Sequence, residues 1–185
     1  YEGEYFKFDD VCVMPKPYQH PHPPVRMAAT TQDTFPAVGK QGLAIFVGLR
    51  GFDVHELSKN LEVYRQSRLD AGFTEALDVL LRIPVYVAET AERAREDAEA
   101  STMKSYERLA NTFSRYIGGE GTKNSEDRAE RARKLASVSY EQLLVDRLAY
   151  GTPEVVIERL GMLTKELGLS GVVIEPNVGG GIAVD

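Results

Sequence analysis

From Val25 onward, short apolar runs alternate with longer segments in which apolar residues recur every three or four positions. Four runs read as strands: VRMAAT at 25–30, LAIFVG at 43–48, LLRIPVYVAET at 80–90, and GVVIEP, whose strand spans Val172 to Glu175. Apolar character without alternation marks strands of a parallel sheet covered on its faces, so VRMAAT is expected to be mostly buried, with Ala28 and Ala29 allowing close packing at its end. Pro84 interrupts the third run and is expected at an edge or entry position, because proline cannot donate to a ladder. Between the runs lie helices. A short one from Thr34 to Gln41 ends at Gly42, and DVHELSKNLEVYRQSRLD at 53–70 sets Val54, Leu57, Leu61 and Tyr64 on one face. Thr90 caps a long charged helix whose Glu and Arg spacing describes a solvated face. One further helix is expected from roughly Glu126 to Ala149. In YGTPEVVIERL, Thr152 suits an N-cap, Pro153 suits N1 and Glu154 suits the positive end of the dipole.

Residues 1–24 differ in kind. The first ten alternate aromatic and charged side chains, as a surface hairpin or extended segment does, and PKPYQHPHPP at 15–24 is expected to be a stiff, extended, proline-rich lead-in. IGGEGTKNS at 117–125 reads as a flexible break and a candidate mobile loop. The domain expectation is one partial-barrel domain over 1–185, with successive βα units over 25–185. Strand then helix, four times over, implies an α/β fold with a parallel sheet. A closed (β/α)₈ barrel takes about 250 residues. Four strands favour half a barrel, although an open four-stranded α/β layer fits the same strings.

Charge and composition narrow the function classes. Lys and Arg total 22 against 28 Asp and Glu, for a formal charge of -6, and the basic residues are scattered. Nucleic acid is therefore not an expected partner. The single Cys12 excludes an internal disulfide framework and suits a reducing, cytoplasmic setting. No apolar run reaches the roughly 20 residues of a bilayer span, and YEGEYFKFDD has no signal-peptide character. The chain opens with Tyr1, so a natural N-terminal part is expected to lie outside this sequence.

The candidate chemistry gathers in TTQDT at 30–34, the loop between the first strand and its helix. Loops leaving the C-terminal ends of parallel strands carry ligand sites in such folds. Thr31 and Thr34 stand three apart, where hydroxyls and helix-start amides would flank one anion. Capping by Asp33 or Thr34 explains the same residues, and caps are commoner than phosphate sites, so spacing alone favours the cap. The loop holds no Lys or Arg, and a cation would have to come from elsewhere.

In order, the segments YFKFDDVCVMPKPYQHPHPPVRMAAT, TTQDTFPAVGKQG, Tyr64–Arg65, IPVYVAET and YGTPEVVIERL resemble the C-terminal half of a luciferase-like, flavin-dependent monooxygenase. The resemblance implies a (β/α)₈ TIM barrel in which Thr31 and Thr34 hold the FMN phosphate, with Thr30 beside the flavin. It implies oxygenation of a small organic substrate by reduced FMN and dioxygen, with a separate flavin reductase and a possible homodimer. Four upstream strands and a final helix belong to the family pattern and are not in this sequence, leaving two sheet edges open to pairing. Catalytic residues stay unassigned. Two alternatives share the scaffold: an F420-dependent oxidoreductase, and a non-catalytic flavin-binding or assembly protein.

Other constellations weigh less. His20, His22 and His55 lack convincing metal-ligand spacing. PHPPVR matches a polyproline-ligand pattern, but its Val25 and Arg26 enter a strand. NVGGG has no Walker lysine and reads as a turn. Tyr64, Tyr86 and Tyr140 are expected to be half-buried with their phenols reaching the surface, and Arg65 is expected to pair with Glu62 or Asp70. Nothing resembles a nucleophile elbow, which disfavours hydrolysis.

Overall fold

The structure, a computed structural model, describes residues 1–75, 78–115 and 125–182. In chain order the elements are β1 (Arg26–Ala28), α1 (Thr34–Lys40), β2 (Ala44–Gly48), α2 (Val54–Asp70), β3 (Val79–Val87), α3 (Ala91–Arg115), α4 (Ser125–Ser137), α5 (Tyr140–Asp146), β4 (Ala149–Gly151), α6 (Pro153–Leu167) and β5 (Gly171–Glu175). The four strand ladders are parallel, and β3 is their hub. Leu80 of β3 pairs with Phe46 of β2 and with Gly171 of β5, so these two strands flank it. The order β1, β2, β3, β5 runs in sequence, as barrel staves do.

The helices decide between barrel and open layer. Phe35 and Val38 of α1, Leu57, Leu61 and Tyr64 of α2, and Val156, Leu163 and Leu167 of α6 join one buried cluster with Ile45, Val47, Leu81 and Ile83. These three helices therefore cover the same face of the sheet. A doubly wound layer would divide its helices between both faces. One-sided cover with sequential strands is the half-barrel arrangement.

Local chemistry explains the helix starts. Asp53 accepts from the Glu56 amide while Glu56 reaches back to the Asp53 amide, a capping box that opens α2. Thr90 accepts from the Arg93 amide at the head of α3. Gly39 lets α1 approach α2: a Cβ there would stand 2.5 Å from the Tyr64 carbonyl oxygen.

Several expectations need correction. β1 is short and exposed along its length, because it is an outer strand with β2 as its ladder partner; only Ala29, just beyond it, is buried. Pro84 is buried inside the sheet, not at an edge. It sits where the β2 ladder has ended at Arg82 and the β4 ladder is about to begin at Val85, a position that makes a missing N–H tolerable. The expected helix over 126–149 is two helices and a strand. Ser139 and Gln142 form a second capping box that restarts the chain as α5, and Ala149–Gly151 pairs with the far end of β3, giving five strands instead of four. Thr152 does stand before α6 with Pro153 at N1, but its hydroxyl makes no cap to the backbone. It bonds the Glu154 carboxylate; a backbone hydrogen bond first, and the Thr152 hydroxyl second, hold that carboxyl below its usual range.

The lead-in has no regular element beyond an antiparallel bridge between Glu2 and Lys7, and its Met14–Pro15 and His20–Pro21 bonds are cis. Tyr64 and Tyr140 are buried, and their hydroxyls donate to the carbonyls of Leu43 and Arg95 at 2.9 Å instead of reaching the surface. Arg65 donates to the Leu167 carbonyl at 2.5 Å, tying α2 to the end of α6. Apart from Ser125, the glycine-rich segment at 117–125 lies outside the described residues, as do 183–185. NVGGG is a turn docked on α3: Ser101 donates to the Val178 carbonyl at 2.6 Å, and a Cβ at Gly179 would collide with the Ser101 carbonyl.

Candidate functional site

Alternation along each strand sends neighbouring residues to opposite faces. With Ile45, Val47, Leu81 and Ile83 committed to the helices, Phe46, Gly48 and Arg82 face the inner side. There, toward the C-terminal ends of the strands, lies a cavity of about 270 Å³. Ala28, Thr30, Phe46 and Phe52 contribute to its walls, and Leu109 and Phe113 reach it from α3. Its polar element is a charged cluster. Glu175, at the end of β5, accepts from Arg50 at 2.5 Å and from Arg82 on the same carboxylate oxygen.

Behind this cluster the chain is short of acceptors. Arg50 Nε is buried with no hydrogen-bond partner among the described residues, and so is the Tyr106 hydroxyl. Burial pushes the Tyr106 phenol up to about 12, against the opposing pull of the Arg147 and Arg50 guanidinium groups. At neutral pH it is a donor without an acceptor. Nearby, the Tyr150 hydroxyl shares a 3.0 Å hydrogen bond with Thr102, and burial raises that phenol as well. Arg147 donates to the Arg50 carbonyl at 3.0 Å, which fixes the loop after β2.

Thr31 and Thr34 come together. Their hydroxyl oxygens are 2.7 Å apart, and one of the two protons is spent between them, leaving the other for an outside acceptor. Asp33 occupies the N-cap position without a side-chain cap hydrogen bond, so capping by Asp33 does not account for this loop. Thr30 lines the cavity while Thr31 and Thr34 stand outside its lining. The cationic groups that the loop itself lacks are thus supplied to Thr30's cavity by Arg50 and Arg82. Sequence reading passed over these two and Glu175. A charged residue at an alternate position inside an apolar run, as in LLRIPV, was the available signal for the inner face. His20, His22 and His55 join no cluster: among the described residues no group of three His, Cys, Asp or Glu is placed to hold a metal.

The comparisons with known proteins bear on this arrangement. The profile of the luciferase-like monooxygenases matches residues 1–171. The chain belongs to the luciferase-like monooxygenase family. No curated protein sequence matches it. Among solved structures it is similar to monooxygenase RslO1 from Streptomyces bottropensis, at 22% identity and a TM-score of 0.67 over 95% of this chain and 47% of that one. It is also similar to the oxygenating constituent of 3,6-diketocamphane monooxygenase from Pseudomonas putida, solved in complex with FMN (17%, 0.62, 84% and 43%). A third is the coenzyme F420-dependent tetrahydromethanopterin reductase from Methanopyrus kandleri (15%, 0.56, 83% and 45%). The chain spans about half the length of these structures, and its fold is the C-terminal half of a luciferase-like (β/α)₈ barrel. No helix among the described residues is long and apolar enough to cross a membrane.

Proposed function

We propose that this chain provides the cofactor-facing half of an FMN-dependent monooxygenase, which uses reduced FMN and dioxygen to oxygenate a small organic substrate. The observation that carries this reading is the family match over residues 1–171 together with a cavity at the C-terminal ends of the strands, where barrel enzymes hold their ligands. The residues present fit a flavin in kind. Phe46, Phe52 and Ala28 offer apolar surface for a ring system, and the Thr31–Thr34 pair offers a hydroxyl donor to a phosphate. α1 has only seven residues, so the hydroxyls and not the field of a long helix would do most of the holding.

When bound, reduced FMN supplies the electrons for oxygen activation. The chain's own residues have simpler tasks. Thr31 and Thr34 would anchor the phosphate, Thr30 and Phe46 would border the ring, and Leu109 and Phe113 of α3 would exclude water. We assign no residue a proton transfer. A separate flavin reductase would deliver the reduced cofactor. F420 is the second reading, favoured by the F420-dependent reductase among the similar structures; it replaces oxygenation with hydride transfer.

Titration of the folded chain with FMN, oxidised and anaerobically reduced, and with F420 tests both. We expect FMN binding that the Thr31→Ala/Thr34→Ala double variant loses by tenfold or more. Preference for F420 would move the assignment to the second reading. Equal binding by the double variant would overturn the phosphate assignment.

A further inference from the structure

The inner cavity carries one more assignment, which rests on the proposed function: beside the surface offered to the flavin ring, the charged wall of the same cavity is taken as the side that meets the substrate. Arg50 and Arg82 bring two positive charges to its wall and Glu175 brings one negative charge. The local balance is therefore +1. Both guanidinium groups lean on the same oxygen, Oε1, of that carboxylate. Two guanidinium groups carry ten N–H donors between them, far more than one carboxylate can engage, and Arg50 Nε is buried without a partner among the described residues. The Tyr106 hydroxyl, also without a partner among the described residues, feels Arg147 and Arg50 as well as Glu175. A buried donor left without an acceptor loses the hydrogen bond it made to water and gains none in return. The wall thus lacks acceptors and lacks one negative charge, while the surfaces around it, from Phe46, Phe52, Leu109 and Phe113, are apolar.

We propose that Arg50, Arg82 and Glu175 form a subsite for a single carboxylate group carried on an apolar, aromatic or alkyl ligand. A planar carboxylate matches the fork of a guanidinium and brings acceptors for its unused donors. One negative charge cancels the surplus. A dianionic phosphate would instead leave the apolar chamber with a net negative charge, which is why the group belongs to the substrate and not to the cofactor's phosphate. Glu175 acts as the internal competitor: it holds both arginines in place before the ligand arrives and shares them afterwards. Arg82 is partly exposed, with 44% of its side chain accessible, so solvent screens the pair and the discrimination is moderate.

Calorimetric titration of the full chain with 3-phenylpropionate, its neutral amide and orthophosphate tests the assignment. We expect the carboxylate to bind at least tenfold more tightly than the amide. Arg82→Gln should abolish that preference and Arg82→Lys should retain part of it, since the charge stays and the fork is lost. Glu175→Gln should shift the preference the other way, tightening the carboxylate severalfold, an outcome that a damaged fold cannot produce. Equal binding of carboxylate and amide, no carboxylate binding by the wild-type chain, or weakening by Glu175→Gln would each overturn the proposal. Orthophosphate displacing the carboxylate at equal concentration would overturn the assignment to substrate and give the cluster to the cofactor. An FMN titration in parallel separates this proposal from the functional one. Carboxylate preference without FMN binding refutes the flavin reading and leaves the subsite; FMN binding without the preference does the reverse.

Discussion

On the outer face of the sheet, Ile45, Leu81 and Ile83 are sealed beneath three helices, whereas one residue along the same strands Phe46 and Arg82, with Gly48, border a cavity. The outer set is uniformly aliphatic and excludes water almost completely. The inner set mixes an aromatic ring, a glycine and a guanidinium, and beside it Arg50 Nε and the Tyr106 hydroxyl have no acceptor among the described residues. Because strand side chains alternate with a period of two, a slip of one residue would exchange the two sets and bury Arg82 under the helices. Burial of the outer face therefore fixes the register, and the register is what presents the arginines to the cavity. Stability and binding are written on the same strands in alternate letters.

The sharpest way to break this comparison is to truncate one residue on each face. Leu81→Ala should cost about 2–5 kcal/mol through lost transfer energy and the void left behind, read as a lower midpoint in urea unfolding. Arg82→Ala, its immediate neighbour, should stay within about 1 kcal/mol, because a partly exposed ion pair contributes little. If the two costs were equal, the inner face would be as much a part of the folding core as the outer.

A smaller effect probes the polar side. Tyr106→Phe removes a buried hydroxyl that has no partner, so stability should be unchanged or rise by about 1 kcal/mol. A loss of more than about 1 kcal/mol in the same unfolding assay would show that the phenol is hydrogen-bonded after all.

The smallest expected effect lies at the opposite end of the strands from Glu175, at the outer strand β1. Asp78 accepts from Ser170 and pairs with Arg26, and these partners, Ser170 first, hold its carboxyl below the usual value. A depressed folded-state pKa means the contribution is complete above the ordinary carboxylate range and fades as pH falls below about 4. The thermal midpoint of the wild type should therefore drop slightly more steeply between about pH 5 and pH 3 than that of Asp78→Asn. Parallel profiles would remove Asp78 from the account.

Much of this architecture was legible because periodicity is a direct image of burial. The apolar faces of α2 and α6 and the runs of β2, β3 and β5 were plain in the chain, as were the cap at Thr90 and the Pro153 start of α6. Three features were not. β4 is three residues long and too brief for any pattern, and the break at Ser139 needs its Gln142 partner to be noticed. Pro84 reads as an edge signal because a local rule cannot know that the ladders on β3 change partners around it. At the site, the threonine pair was visible as a local cluster. The Arg50–Glu175–Arg82 group was hidden by distance along the chain: its members lie in the loop after β2, on β3 and at the end of β5, and meet through the register of β3 with its neighbours and the course of that loop.

That central position of β3 also has a consequence in time. One flank of β3 can pair with β2 as soon as both have been made, but the other waits for β5, and residues 88–170 come between. At the usual rate of about 5–20 residues per second, the ribosome needs roughly 4–17 s to deliver the missing partner. Throughout that interval VLLRIPVYV, the longest strand of the sheet, has the backbone groups of its Leu80–Pro84 stretch uncovered on one flank. The nascent chain is then most open to mispairing, and a pause in translation between β3 and β5 would lengthen the exposure of the strand on which the whole sheet depends.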